Sequence, residues 1–155
     1  SNGKAVRFNE QDVRAMGRTA SGVKGFNTDG CEAVGMATDK EGQYILSVTQ
    51  NGYGKKSELT DYRLTSRGAK GVKTINITDK NGPLVELKAV KGDEDLLMVT
   101  SEGVIIRINL ETVGVYGRST QGVRLINVKD DQTLQTVAVV EKVEEVVEES
   151  VEEVK

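Results

Sequence analysis

The sequence has 155 residues, 21 of them Lys or Arg and 24 Asp or Glu, with one Cys, one Pro, no His and no Trp. Without His there is no imidazole base or metal ligand, and the single Cys31 excludes an internal disulfide and any CxxC pair. No apolar run reaches the ~18 residues that span a bilayer and no signal-peptide pattern opens the chain, so it reads as a soluble cytoplasmic protein.

Charge is unevenly spread. Residues 141 to 155 hold seven Glu and two Lys, a net −5, which leaves 19 basic and 17 acidic residues and a net +2 in residues 1 to 140. A mildly basic body with an acidic tail is a weak pointer to a polyanionic partner.

Taken in order, the elements repeat. The chain opens on Asn2-Gly3, and Arg7 follows four residues later. Arg18 then precedes Gly22-Val23-Lys24 by four residues. Tyr44 to Thr49 is an apolar, β-branched run of strand length, closed by Asn51-Gly52. Asn-Gly supplies the positive φ angles of a two-residue hairpin turn, so a hairpin is expected there. Lys55 and Lys56 follow, then Arg67, Lys70 and Gly71-Val72-Lys73. Val72 to Ile77 and Val85 to Val90 read as strands, as do Leu96 to Thr100 and Val104 to Asn109 on either side of Glu102-Gly103. Arg107, Arg118 and Gly122-Val123-Arg124 complete the third copy, with strands expected at Val123 to Val128 and Leu134 to Val140.

The Gly-Val-Lys/Arg motif and the earlier Gly at 3, 52 and 103 both recur at spacings of 49 and 51. Three units follow, at about 2–50, 51–101 and 102–140, with 141–155 as an acidic tail, disordered or marginally helical. About four short strands per unit of about 50 residues is the spacing of propeller-like blades. The expected fold is all-β: three blades of short antiparallel strands forming a partial ring. Its first and last hairpin arms lack partners, and two copies could complete one another by strand exchange.

A core explains the repeated Val23, Val72 and Val123 and the repeated Phe26, Ile75 and Ile126; it gives no reason for repeated cations. Lys24, Lys73 and Arg124 should point outward beside those valines. With Arg7, Lys56, Arg107, Arg18, Arg67 and Arg118, and the neighbouring Lys55 and Lys70, they are the candidate contacts to a duplex bent over a basic rim. A solvated charged face is the plain alternative. The glycine-rich stretches lack the spacing of a phosphate-binding loop. Asp93-Glu94-Asp95 reads as a solvated loop, the four Tyr as packing residues, and nothing calls for a cofactor.

The stretches Asn51 to Leu59, Ser66 to Ile75, Asp79 to Val85, Gly103 to Arg107 and Gly117 to Ile126 resemble the C-terminal domain of the DNA gyrase A subunit. The likeness runs in register from residue 3 to about 140. It implies a six-bladed β-pinwheel that wraps double-stranded DNA around its perimeter, of which these blades are the C-terminal half. It also implies that the strand-breaking tyrosine lies in another domain, so this chain is not itself an enzyme. The implied partners are the rest of the gyrase A subunit, together with the gyrase B subunit. The glutamine-arginine-glycine box that separates gyrase from topoisomerase IV is not in the sequence. The rival reading is a propeller serving as a protein-interaction platform.

Overall fold

The computed structural model describes residues 1–142; the rest of the acidic tail lies outside the described residues. Nine strands run in order: β1 (Lys4–Ala5), β2 (Tyr44–Thr49), β3 (Tyr53–Glu58), β4 (Val72–Lys73), β5 (Leu84–Val90), β6 (Asp95–Thr100), β7 (Ile105–Asn109), β8 (Val123–Arg124) and β9 (Leu134–Val140). They form three antiparallel sheets, ordered β1-β4, β5-β2-β3-β8 and β7-β6-β9. The chain is all-β, and among the described residues no helix is long and apolar enough to cross a membrane.

The sheets are out of phase with the sequence units. The hairpin β2–β3 straddles the boundary near residue 51, and its sheet recruits β5 from the second unit and β8 from the third. Each unit therefore lends a short strand to the hairpin of the unit before it. Lys4 and Ala5 pair with Lys73 and Val72, and Tyr53 and Gly54 pair with Arg124 and Val123. The same two hydrogen bonds fix both junctions. The Gly3 carbonyl accepts from the N–H of Thr74 (2.8 Å) and Ile75 (3.3 Å), and the Gly52 carbonyl from Leu125 (2.8 Å) and Ile126 (3.3 Å).

This docking shortens two expected strands. Only Val72–Lys73 and Val123–Arg124 stay extended in a ladder. After them the chain bends so that Ile75 and Ile126 enter the interior, at 0% and 6% exposure. Val23 and Val123, expected in the core, are instead exposed at 38% and 37%. The main core is built from Leu46, Val48, Val90, Leu96, Met98 and Leu134 of the longer strands, joined by Leu110 from the 3-10 turn after β7 and by Ile126 just past β8.

The turn at Asn51-Gly52 also differs from expectation. Gly52 has φ +81°, but Asn51 is not among the positive-φ residues, so the turn is not of the two-residue type that needs two positive φ values. Asn51 works through its side chain instead, donating Nδ2 to the carbonyls of Asp79 (3.4 Å) and Lys80 (3.2 Å). Residues 13 to 43 contain no strand, although the repeat led one to expect a full blade there. The equivalent segments Val72–Lys73 and Val123–Arg124 pair with β1 and β3.

A side chain at Gly52 would place Cβ 2.8 Å from the Ile126 carbonyl and 2.9 Å from Val128 Cγ2, whereas Gly103 has nothing within 4 Å. Their φ angles, +81° and +79°, are nearly equal. In dilute solution Gly103→Ala is therefore expected to lose about 1–2 kcal/mol, the left-handed backbone penalty. Gly52→Ala should lose at least about 1 kcal/mol more, because β8 must shift. Urea titration of both variants checks this; equal losses would mean that the β3–β8 junction is not seated as described.

Candidate nucleic-acid interface

The repeated cations divide into two classes by what holds them. The first class faces inward. Lys55, at 0% exposure, directs Nζ to the carbonyls of Gly117 and Arg118 (2.8 Å) and to Thr120 Oγ1 (3.0 Å). Lys56, at 5% exposure, donates to the Leu110 carbonyl at 2.7 Å and lies against the Tyr44 ring. Arg7 repeats this in the preceding unit, donating to the carbonyls of Leu59 (3.4 Å) and Tyr62 (3.2 Å). Leu59 and Leu110 stand at equivalent positions, 51 residues apart. Lys55 and Lys56, expected as DNA contacts, are instead buried latches: their charge is spent on backbone carbonyls of the next unit.

Arg107, third in the Arg7–Lys56 series, is turned onto its own hairpin. It forms an ion pair with Asp95, its Nε donating to Oδ2 at 2.7 Å. The Arg107 hydrogen bond, then that from Asn109, holds the Asp95 carboxyl below its ordinary range. Glu94 is held low as well: burial pushes it up, but the backbone N–H groups of Lys91 and Gly92 outweigh that. The Asp93-Glu94-Asp95 stretch is therefore not a solvated loop, since Glu94 and Asp95 are buried at 9% and 8% exposure.

Arg67 and Arg118 are intermediate. Arg67 donates to the carbonyls of Asp12 (3.0 Å) and Lys24 (3.1 Å), and Arg118 to that of Lys73 at 2.9 Å. Each thereby ties its loop to the backbone of the Gly-Val-Lys segment one unit earlier.

The second class is exposed. Lys24, Lys73 and Arg124 lie at one register position of successive units, each on a docking segment, and all three are exposed. Among the described residues none of them is ion-paired. Lys73 Nζ donates to Asn76 Oδ1 at 3.0 Å and Arg124 Nη1 to Asn127 Oδ1 at 3.4 Å, so an Asn three residues on steers the cation. Asn27 holds that place after Lys24. This Lys/Arg-x-x-Asn recurrence is a signal that attention to the cations alone passes over. Lys73 also sits directly across the ladder from Lys4, a like-charge pair that an anion between them would relieve. Arg18 is exposed, and exposed Lys70 makes a 3.6 Å ion pair with Asp29.

A shallow cleft of about 190 Å³ adds further cations. Tyr53, Lys80, Arg124, Asn127, Lys129 and Asp130 are among the residues that line it. Arg124 Nη2 donates to the Tyr53 hydroxyl at 3.0 Å, which lowers the phenol from its ordinary value, and Lys80 Nζ lies 5.7 Å from the ring centroid. Sequence reasoning missed Lys80 and Lys129, which do not recur in all three units. It missed exposed Arg14 and Arg63 for the same reason: they recur at 49, but Gly114 occupies the third place.

Residues 1–35, 43–91 and 94–141 match the family model described as DNA gyrase C-terminal domain, beta-propeller. The chain is 44% identical over 140 residues to the DNA gyrase A subunit of Ureaplasma parvum serovar 3, covering 90% of this chain. It is 48% identical over 143 residues to that of Mycoplasma pneumoniae, and 47% over 145 to that of Staphylococcus aureus, covering 92% in each case. The chain spans only 16–17% of the length of these relatives. Among solved structures, a DNA gyrase A C-terminal domain superposes with a TM-score of 0.76 at 27% identity, over 90% of this chain and 48% of that one. The C-terminal domain of DNA topoisomerase IV gives 0.76 at 23% identity, over 90% and 44%, a likeness of fold.

The buried latch has a measurable pH signature. Burial, then the nearby Arg118 charge, lowers Lys55 from its ordinary 10.5 to about 8. Below pH 8 the lysine is charged in both states and the cost of burying its charge is fully present. Between about 8 and 10.5 the folded state gives up the proton while the unfolded state keeps it, so stability rises with pH. The stability difference between wild type and Lys55→Met should therefore shift in favour of wild type across that interval. Denaturant titrations from pH 7 to 11 check it, and a flat difference would refute the burial of a charged lysine.

Proposed function

Because the chain belongs to the DNA gyrase C-terminal domain family, we propose that it is a non-catalytic module of a type II topoisomerase that binds duplex DNA and bends it over an exposed basic surface. The observation that carries this reading is the exposed Lys24–Lys73–Arg124 series, one cation per unit in a fixed register, with the Lys80–Arg124–Lys129 cleft beside its third member. Phosphates on one face of a curved duplex recur at regular intervals, and a periodic row of cations neutralises them without reading bases. The cations directed inward do different work. Lys55, Lys56 and Arg7 keep successive units at fixed spacing, so the exposed row holds its pitch.

Imposed curvature is where such a module would act on its enzyme. A bent segment delivered with a fixed hand to a cleavage core biases the sense of strand passage, and so the direction of supercoiling. The partners assigned by this reading, in the cytoplasm of a bacterial cell, are the rest of a gyrase A subunit, together with a gyrase B subunit. No cofactor is needed, because charge neutralisation and shape supply the interaction.

Binding to unrelated duplexes across a salt series tests it. With about six phosphate contacts, log K should fall against log salt with a slope of about −5. Lys73→Ala and Arg124→Ala should each flatten that slope by about one contact while weakening binding equally for all sequences. Lys56→Ala should lower stability and leave the slope in place. Strong sequence selectivity, or a slope near zero, would overturn the proposal.

A further inference from the structure

The cleft beside Arg124 gathers more positive charge than a repeating row of cations needs. Lys80, Arg124 and Lys129 line it, and Asp130 is the one carboxylate among its lining residues. Three cations less one anion leave a net +2, and none of the three cations is ion-paired among the described residues. Like charges drawn together on a concave wall repel one another, and such a wall focuses its field on an incoming anion.

Of these residues only Arg124 belongs to the series at 24, 73 and 124. The place of Tyr53 is held by Lys4 in the first unit and Val104 in the third, and that of Lys129 by Thr78 in the second. Phosphates that recur along a duplex call for the same contact in every unit. A cluster built at one junction alone answers to a different ligand.

Tyr53 assembles the cluster. It is 6% exposed and stands across the ladder from Arg124. Arg124 Cζ lies 5.5 Å and Lys80 Nζ 5.7 Å from the centroid of its ring, so one aromatic ring attracts two cations that repel each other. Arg124 Nη2 donates to the phenol oxygen at 3.0 Å, and Nη1 donates to Asn127 Oδ1 at 3.4 Å. Three of the five guanidinium N–H groups are left over. The phenol accepts from Arg124 and keeps its own O–H to give, since no hydrogen bond among the described residues uses that proton. With the two ammonium groups, four side chains offer donors to the same cleft.

The matching chemistry is a phosphate group with two negative charges and three terminal oxygens, each a strong acceptor. It balances the net +2. A diester of the nucleic-acid backbone carries one charge and two free oxygens, and would leave donors idle.

We propose that this cleft, about 190 Å³ in volume, seats one dianionic phosphate group, as free phosphate or a phosphate monoester, held by Lys80, Arg124, Lys129 and the Tyr53 hydroxyl. The seat shares only Arg124 with the Lys24–Lys73–Arg124 row and stands even if the duplex reading of that row fails. Filling it takes Arg124 out of the row, so a phosphate monoester acts on whatever the row binds.

Methyl phosphate and dimethyl phosphate are matched probes. At about pH 7.5 the monoester, with a second pKa of about 6, is a dianion, whereas the diester is a monoanion. Titrations followed by the ring carbons of the four tyrosines should give methyl phosphate a Kd on the order of 1 mM. Dimethyl phosphate should bind at least about tenfold more weakly. The signal that moves should be the one missing from Tyr53→Phe. Lys80→Ala and Lys129→Ala should each weaken methyl phosphate about tenfold, one charge-assisted contact apiece. Both residues are exposed, so neither change disturbs the core. Lys40→Ala, which removes an exposed cation from outside the cleft, should leave the affinity in place.

The phenol supplies a second readout. The Arg124 hydrogen bond, aided by the Arg124 and Lys80 charges, holds Tyr53 below its ordinary value against the effect of burial. A dianion beside it offsets those charges, so saturating methyl phosphate should raise the Tyr53 pKa. Equal affinity for the two probes overturns the dianion seat and returns the cleft to the backbone-binding row. An affinity unmoved by Lys80→Ala and Lys129→Ala, or a Tyr53 ring that does not respond, overturns it as well. Duplex binding by Lys73→Ala reports on the row and methyl phosphate binding by Lys80→Ala on the seat, so the two readings fail separately.

Discussion

One hydrogen-bonding arrangement organises the molecule: a glycine carbonyl at the start of a hairpin arm accepts two successive N–H groups from the following unit. At Gly52 these come from Leu125 and Ile126, at 2.8 and 3.3 Å. Accepting both turns the incoming chain through a sharp bend, and the bend carries Ile126 into the core beside Leu46 and Val48. A side chain at the glycine would occupy the space of the arriving backbone, so the residue is required twice over, for its positive φ and for its missing Cβ. Because each sheet borrows strands from its neighbours, no unit buries its apolar face alone. Stability accrues at the junctions, as in other arrays of stacked repeats.

The cations show how one residue type in one repeating pattern serves two ends. Burying an ammonium group costs several kcal/mol unless donors and acceptors are matched around it. Lys55 meets that condition with two carbonyls and a hydroxyl from the loop between Gly117 and Thr120, a segment of the next unit. The same charge that would attract a phosphate at the surface here is spent on backbone acceptors of the next unit. Lys73 and Arg124 donate to side chains rather than to carbonyls, Lys73 to Asn76 and Arg124 to Asn127 and the Tyr53 hydroxyl, and they stay in solvent. Their neighbourhood, more than their identity, sets what they can bind.

Much of the architecture was legible in the sequence because the repeat is a register, and hydrogen bonds obey the register. Spacings of 49 and 51 place Gly3 with Gly52 and Arg7 with Lys56, and the structure returns both pairs with equivalent partners, at matching distances for the glycines. The longer strands, such as Tyr44–Thr49 and Leu84–Val90, were visible from their β-branched and apolar runs. Three things were not. Burial of Lys55 and Lys56 was hidden because lysine within a strand ordinarily signals a wet face. The shortness of β4 and β8 was hidden because Val-x-x-Ile reads as strand whether or not the chain bends midway. The lack of strands across residues 13 to 43 was hidden because strand formation rests on pairing, which no local propensity encodes. At the candidate surface, the repeat exposed Lys24, Lys73 and Arg124, while Lys80 and Lys129 came together only through the fold.

The mismatch between sequence units and sheets has a consequence for how such a protein can change length. A duplication or deletion whose breakpoints fall at two equivalent turns, such as those at Gly52 and Gly103, removes or adds half a hairpin at each side of the cut. The halves are interchangeable, so the join regenerates a whole hairpin with the correct register. Arrays of this kind can therefore be lengthened or shortened by one unit through exchange between equivalent stretches, such as Leu46 to Gly52 and Leu97 to Gly103, without a new junction having to be invented. The point of exchange would fall within a turn at the surface, where an imperfect splice does least harm to the core.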